Sequence, residues 1–240
     1  MMRQDRLELW VGAGLMGLVL LVFLPVIAGG GFFWDDHLLL LDNKAVWSPG
    51  GLWDIWFSTK SPDYYPLMSS SYWVEAHLWG RDAWGYHLTN ALLHGGSAIL
   101  LWRILRRLEI PGALLGAILF AISPINVESV AWIAERKNTL SMFLTCAAVL
   151  FHLRSEDGKG GYGVAVLLFL GALLSKTAVV MLPVVLLVLA WLRRGRITKR
   201  DMLRAGPYFA LSLALGLVTV WFQYHRAIAE VVVRDDSPGW

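Results

Sequence analysis

LWVGAGLMGLVLLVFLPVIA, residues Leu9 to Ala28, decides the class of this protein. It is an uninterrupted uncharged run, and an α-helix needs about 20 such residues to cross the hydrocarbon layer of a bilayer. Similar runs of roughly 16–22 residues recur to the end of the chain. The composition agrees, with 57% hydrophobic and only 16% charged residues and a mean hydropathy of +0.55, whereas a soluble domain carries about 25% charge. A soluble all-helical domain would need polar faces on its helices, and most of these runs have none. The fold class expected is all-α, a polytopic transmembrane helical bundle.

Seven membrane segments are expected, at about 8–29, 88–105, 111–134 (with Pro124 inside it), 138–153, 162–175, 177–192 and 207–224. In domain terms, residues 1–30 form the first membrane helix and 31–86 a large external loop. Residues 87–226 supply helices two to seven, and 227–240 read as an external segment of a truncated chain. A cleavable signal peptide over residues 1–30 is the weaker reading, because the apolar run is long and no clear A-x-A site follows it.

The net charge of +3 does not indicate nucleic-acid binding. The basic residues gather in the N-terminal tail (Arg3, Arg6), Arg103 to Arg107, Arg154 to Lys159 and Arg193 to Arg204, whereas the first loop carries only Lys44, Lys60 and Arg81 among its cations. This is the positive-inside pattern. It orients the N-terminus to the cytoplasm and the first loop to the outside, as in a plasma (inner) membrane protein. The single cysteine, Cys146, lies inside an apolar run, so no intrachain disulfide or CxxC motif exists.

On this topology the residues able to do chemistry meet at one membrane face. The stretch GFFWDDH, Gly31 to His37, places Asp35 and Asp36 directly after the first helix. Apolar neighbours and a second carboxylate both resist ionisation, so one aspartate could act as a base. A helix-end turn is the plainer explanation for the pair. In SPINVESVAWIAERKNTL, Ser123 to Leu140, Pro124 permits a break at the membrane surface. Glu128, Trp132, Glu135 and Arg136 follow at helical spacing and are expected to share one face. Arg136 and Lys137 stand at an external boundary, against the positive-inside trend, where cations can hold a lipid phosphate. The alternative is internal pairing with Glu128 and Glu135. Lys176 is a lone cation between two apolar runs on the same side. His87 and His94 sit seven apart on the second helix with Asn90 on the same face. Packing or hydrogen bonding is expected of them rather than metal ligation, which needs further ligands. The loop's many Trp and Tyr residues read as interfacial anchors, with two short interfacial helices around Leu52–Trp56 and Leu67–Leu78.

At these residues the chain resembles a known group. WDDHLLLLDN, YYPLMSSSYWVEAHLWG, GYHLTNALLH, SPINVESVAWIAERKNTLS and SKTAVVMLP, in this order, resemble the N-terminal half of bacterial tetratricopeptide-repeat membrane proteins. Those are related to the transmembrane O-mannosyltransferases, and both belong to the GT-C glycosyltransferase class. The resemblance implies a GT-C-like bundle and a polyprenyl-phosphate-linked sugar as donor. It also implies inverting transfer to an acceptor hydroxyl, a protein Ser or Thr, on the outer side. It carries the catalytic role to Asp35 or Asp36, with Asp35 favoured as base, and to Glu128. It assigns substrate contacts to Glu135, Arg136, Lys137 and Lys176, with His87 and Asn90 in the adjoining polar patch. Relatives read HPVHVES where this chain has Ser123 to Ser129, so Ser123 and Asn126 stand in place of two histidines. No cofactor is certain, a divalent cation beside the aspartates stays open, and membrane lipids, the donor and a protein acceptor are the partners. The rival classes are a non-catalytic scaffold for a repeat domain and a transporter of lipid-linked glycans. The second is disfavoured because the charges gather at the membrane edges.

Overall fold

The computed structural model describes residues 2–59, 61 and 63–227, and among them every regular element is helical. The chain is an all-α helical membrane protein. The external segment expected at 227–240 lies, beyond Ala227, outside the described residues.

Helix α1 (Met2–Val22) continues as α2 (Leu24–Gly29), the break falling where Pro25 lacks a donor. The first loop then folds into α3 (Lys44–Trp47), α4 (Gly51–Phe57) and α5 (Pro66–Trp79) after a π-helical turn, His37–Leu41. Next come α6 (Ala83–Arg107), α7 (Ala113–Ile122), α8 (Val127–Ala131) and α9 (Arg136–Glu156). The chain continues through α10 (Tyr162–Ser175), α11 (Leu182–Arg194) and α12 (Lys199–Phe222). Helix α9 is the axis of the bundle, lying along α10 on one side and α6 on the other, while α1 covers α6. The central interface is made by Cys146, Leu150 and Leu153 of α9 against Phe169 and Leu173 of α10. On α6, Gly95 and Gly96 let Met16 and Phe143 pack against its backbone, the close approach that small residues give membrane helices.

Among the described residues, two helices are long and apolar enough to span a membrane, Thr177–Arg194 and Lys199–His225, with mean hydropathy 1.8 and 1.6. Ala113–Ile122 and Pro124–Ala131 form a third candidate, bent by 49° where Pro124 removes a helical hydrogen bond. Valines and leucines such as Val184, Val188, Leu213 and Leu217 face outward, a surface suited to lipid. Helices α6 and α9, with 25 and 21 residues, are also long enough. Each buries polar side chains, among them His87, Asn90, His94, Thr139 and His152, and this lowers their mean hydropathy without exposing polarity to lipid.

Charges separate to the two ends of the bundle. At one end Arg106 pairs with Glu8, Arg107 and Arg193 with Asp157, and Arg194 with Glu156 and Asp201. That end joins three of the basic clusters read from the sequence. Arg136 and Arg154, at opposite ends of α9, lie about 27 Å apart at 1.5 Å per residue. This matches a hydrocarbon layer of about 30 Å.

The first loop is a small folded unit. Leu40, Val46, Met68, Tyr72 and Tyr86 bury together against Ile133. Trp47 donates to Leu40 O, Trp56 to Ser70 Oγ and Trp73 to Ser48 O. These aromatics hold the loop together through their indole N–H groups, while Trp53 is among those that remain exposed. Gly51 lets the start of α4 lie against the Ala45 carbonyl, which a side chain there would overlap. Gly51→Ala should cost about 1–3 kcal/mol from overpacking, read as a lower thermal midpoint in detergent.

Candidate active site

The loop that carries the aspartates is bolted to the segment that carries the cations. In the turn after α2, Asp36 N donates to Phe33 O at 2.8 Å, while Phe33 N donates back to Asp36 Oδ2 at 2.8 Å. Between them Trp34 takes a left-handed backbone, φ 41°, which costs a non-glycine residue about 1–2 kcal/mol. Contacts to residues 132–134 offset that strain. Ala134 N donates to Asp36 Oδ1 at 2.6 Å, Trp132 Nε1 donates to Phe33 O at 3.3 Å, and the Trp34 and Trp132 rings meet edge to face.

The two aspartates consequently differ. Asp36 is fully buried, with both oxygens held by backbone amides. Its burial, and to a lesser degree the neighbouring Asp35 charge, push its pKa up despite those bonds. Asp35 is exposed and has no hydrogen-bond or ion-pair partner among the described residues.

The expected shared face of Glu128, Trp132, Glu135 and Arg136 does not exist. Helix α8 stops at Ala131, Trp132 is extended (φ −92°, ψ 122°), Ile133–Glu135 form a 3-10 turn, and α9 begins at Arg136. The regular helix is interrupted where Asp36 captures the Ala134 amide and Tyr72 Oη donates to Ile133 O at 2.6 Å. The result splits the four residues. Glu128 is exposed, while Arg136 turns into the protein with 0% exposure.

Arg136 is fully committed. It pairs with Glu75, donates to Asn90 Oδ1 at 2.6 Å and Tyr86 O at 2.9 Å, reaches Ser71 Oγ, and lies over the Tyr72 ring. Its carboxylate is Glu75, neither of the two acids suggested by the sequence. Asn90 completes the knot by donating to Trp132 O at 3.1 Å. Glu75 was not singled out in the sequence, because its partner is 61 residues away and no local spacing signals it. His87 is buried on the same stretch of α6, its Nε2 against Gly30. His94 binds Ala121 O at 3.1 Å and packs between Phe23 and Phe120, as expected of a packing histidine.

The accessible cations are the other two. Lys137 pairs with Glu135 at 3.0 Å and Lys176 reaches the same carboxylate at 3.9 Å, while both Lys176 and Glu135 also bind Asn138. Lys176 is partly buried, and desolvation lowers its pKa, countered mainly by Glu135. Lys137 and Lys176 share Glu135, with Glu128 also acting on Lys176, so each lysine keeps ammonium donors to offer an anion. Tyr65 of the first loop lies near this cluster, its hydroxyl within the fields of Asp63, Lys137 and Glu135. The sequence hid Tyr65 among a dozen similar aromatics. Beside the cluster a cleft of about 320 Å³ runs between α6, α7 and α9, lined by His94, Asn126, Ser129, Asn138 and Lys176. Asn126 thus borders the cleft, and its side chain donates to Phe120 O. Among the described residues no group of three or more His, Cys, Asp or Glu could hold a metal ion.

The pattern of the family described as dolichyl-phosphate-mannose-protein mannosyltransferase matches residues 63–223 of the 240. The chain belongs to this family. The match takes in Glu128, Glu135 to Lys137 and Lys176, and starts after the aspartates. Among curated proteins, this family member is 26% identical over 190 residues to protein O-mannosyl-transferase TMTC4 of Homo sapiens, covering 65% of this chain and 26% of that protein. It is 32% identical over 146 residues to Tmtc2 of Drosophila melanogaster, covering 54% and 16%. A protein O-mannosyl-transferase of Caenorhabditis elegans is 26% identical over 164 residues, covering 60% and 24%. The chain therefore spans about a quarter or less of the length of these relatives. No solved structure matches it.

Proposed function

We propose that the full-length protein is a membrane glycosyltransferase that moves a sugar, with inversion, from a polyprenyl-phosphate donor to a protein Ser or Thr hydroxyl. The observation that carries this reading is the division of labour between the aspartates. Asp36 is spent on anchoring the turn to Ala134, three residues before Lys137, and leaves the exposed Asp35 of the same turn without a side-chain partner among the described residues. A base and an anion-binding group are what the reaction needs. The relatives' names supply the reaction class.

Asp35 takes the proton of the acceptor hydroxyl as that oxygen attacks the anomeric carbon. The bond from that carbon to the phosphate oxygen breaks, and the polyprenyl phosphate leaves with the electron pair. Lys176 and Lys137 offset the charge of the phosphate, with Glu135 holding them in place. Arg136, Asn90 and Glu75 are positioning residues, as is Asp36, and His87 packs beneath the turn. Glu128, exposed and near enough to Lys176 to act on its charge, is suited to acceptor contact. The positive-inside charge pattern of the sequence supports an external active face and a cytoplasmic N-terminus, in a bacterial inner membrane. A metal is not required by this chemistry, since the leaving group is already activated.

The test is transfer of radiolabelled sugar from polyprenyl-phosphate donors to Ser/Thr peptides by the full-length protein in membranes. Donor-dependent transfer supports the reading. No transfer across several donors, from correctly inserted protein, moves it to a scaffold. In the same assay Lys176→Gln should raise the KM for donor roughly 10-fold by removing a charged contact. The donor is a phosphodiester and stays anionic, whereas Lys176 loses its proton as pH rises. Wild-type donor affinity should thus weaken toward alkaline pH, sooner than for an ordinary lysine, and the variant's should lose that dependence.

A further inference from the structure

The end of the bundle opposite Asp35 holds a second charged cavity that the transfer reaction does not use. A cleft of about 620 Å³ opens between α1, α6 and α9, with Arg103, Arg106, Arg107, Arg154 and Lys159 around it and Glu8 as the one carboxylate. Glu8 is taken by Arg103 and Arg106, and Arg107 by Asp157. Arg154 lies over the Phe151 ring. Neither it nor Lys159 has a carboxylate partner among the described side chains, and the Arg107 Nε is buried without any hydrogen bond. Five cations against one lining carboxylate leave a strongly positive concavity with donors to spare.

Its depth identifies the ligand. The cleft lies about 27 Å along α9 from Arg136, at the second headgroup level, and its wall includes apolar Leu150. Trp102, beneath Arg106, and the outward leucines Leu7 and Leu9 of α1 border the same end. A phosphate seated among the guanidinium groups would leave its acyl chains along apolar helix surface. We propose that this cleft binds the phosphate headgroup of an anionic phospholipid in the leaflet opposite the active site. Basic pockets between membrane helices have the right chemistry for such headgroups, and arginine forks match phosphate oxygens.

The test is native mass spectrometry of the full-length protein released from mixed phosphatidylglycerol and phosphatidylcholine vesicles. Wild type should retain phosphatidylglycerol selectively, and Arg154→Gln with Lys159→Gln should reduce that retention roughly 10-fold. Both residues are exposed, so the variant should keep its thermal midpoint. Lys199→Gln with Arg200→Gln, also exposed on the same side but outside the cleft, should leave retention unchanged. Equal retention of the two lipids overturns the proposal, as does an equal loss in both double variants, which would mean diffuse surface charge. Displacement of phosphatidylglycerol by millimolar inorganic phosphate would mean a soluble-anion site and also overturn it. Sugar transfer is not the readout, so failure here leaves the proposed reaction untouched.

Discussion

Asp35→Asn should lower sugar transfer by the full-length protein about 10²–10⁴-fold, the usual contribution of a general base, without changing its thermal midpoint. Asp35 is exposed and its side chain makes no hydrogen bond or ion pair among the described residues, so an isosteric amide breaks no such bond while removing the proton acceptor. Asp36→Asn should behave in the opposite manner. One of its two oxygens becomes an NH2 facing a backbone amide, of Phe33 or Ala134, and two donors then oppose each other in a buried place. The expected cost is about 1–3 kcal/mol of stability, with activity falling only as far as the turn is displaced. Transfer and thermal unfolding measured on the same preparations separate the two. Full transfer by Asp35→Asn would remove it from the chemistry. A selective loss in Asp36→Asn at unchanged stability would make Asp36 the base.

The second large effect is expected at Arg136. Replacing it with Met leaves the Glu75 carboxylate buried without a partner and strips Asn90 and the Tyr86 carbonyl of their donor. Breaking a buried pair from one side costs about 3–5 kcal/mol, enough to unfold the first loop from the bundle. Replacing both, Arg136→Met with Glu75→Leu, should recover much of that loss, because no stranded charge remains. A thermal-denaturation cycle on the single and double variants measures the coupling. If Arg136→Met were as stable as wild type yet bound donor poorly, Arg136 would be a phosphate ligand and not a structural tie.

Much of the fold was legible because a bilayer restricts what a chain can do. Runs such as Leu9 to Ala28 and Tyr162 to Ser175 must be helices, since lipid offers no partner to a bare backbone. The observed α10 has the boundaries expected from composition. The clustering of Arg103 to Arg107, Arg154 to Lys159 and Arg193 to Arg204 likewise forecast that they would share one end. The helices that carry the site were harder to delimit. Polar residues in α6 and α9 face inward, and hydropathy averages over a helix without knowing which face is buried.

The sequence by itself therefore determined the class, the helices and the set of residues from which a site could be built. It also brought Asp35, Asp36, Glu135, Lys137 and Lys176 to one end of the bundle. Only the tertiary structure decided what each one does. Asp36 and Arg136 look as available as Asp35 and Lys137 in the linear text, but their partners, Ala134 and Glu75, lie 98 and 61 residues away. Burial and pairing at such separations leave no periodic trace in the chain, since they arise when α5, α6 and the turn after α2 close on the start of α9. That closure buries one member of each neighbouring pair, Asp36 and Arg136, and leaves Asp35 and Lys137 accessible.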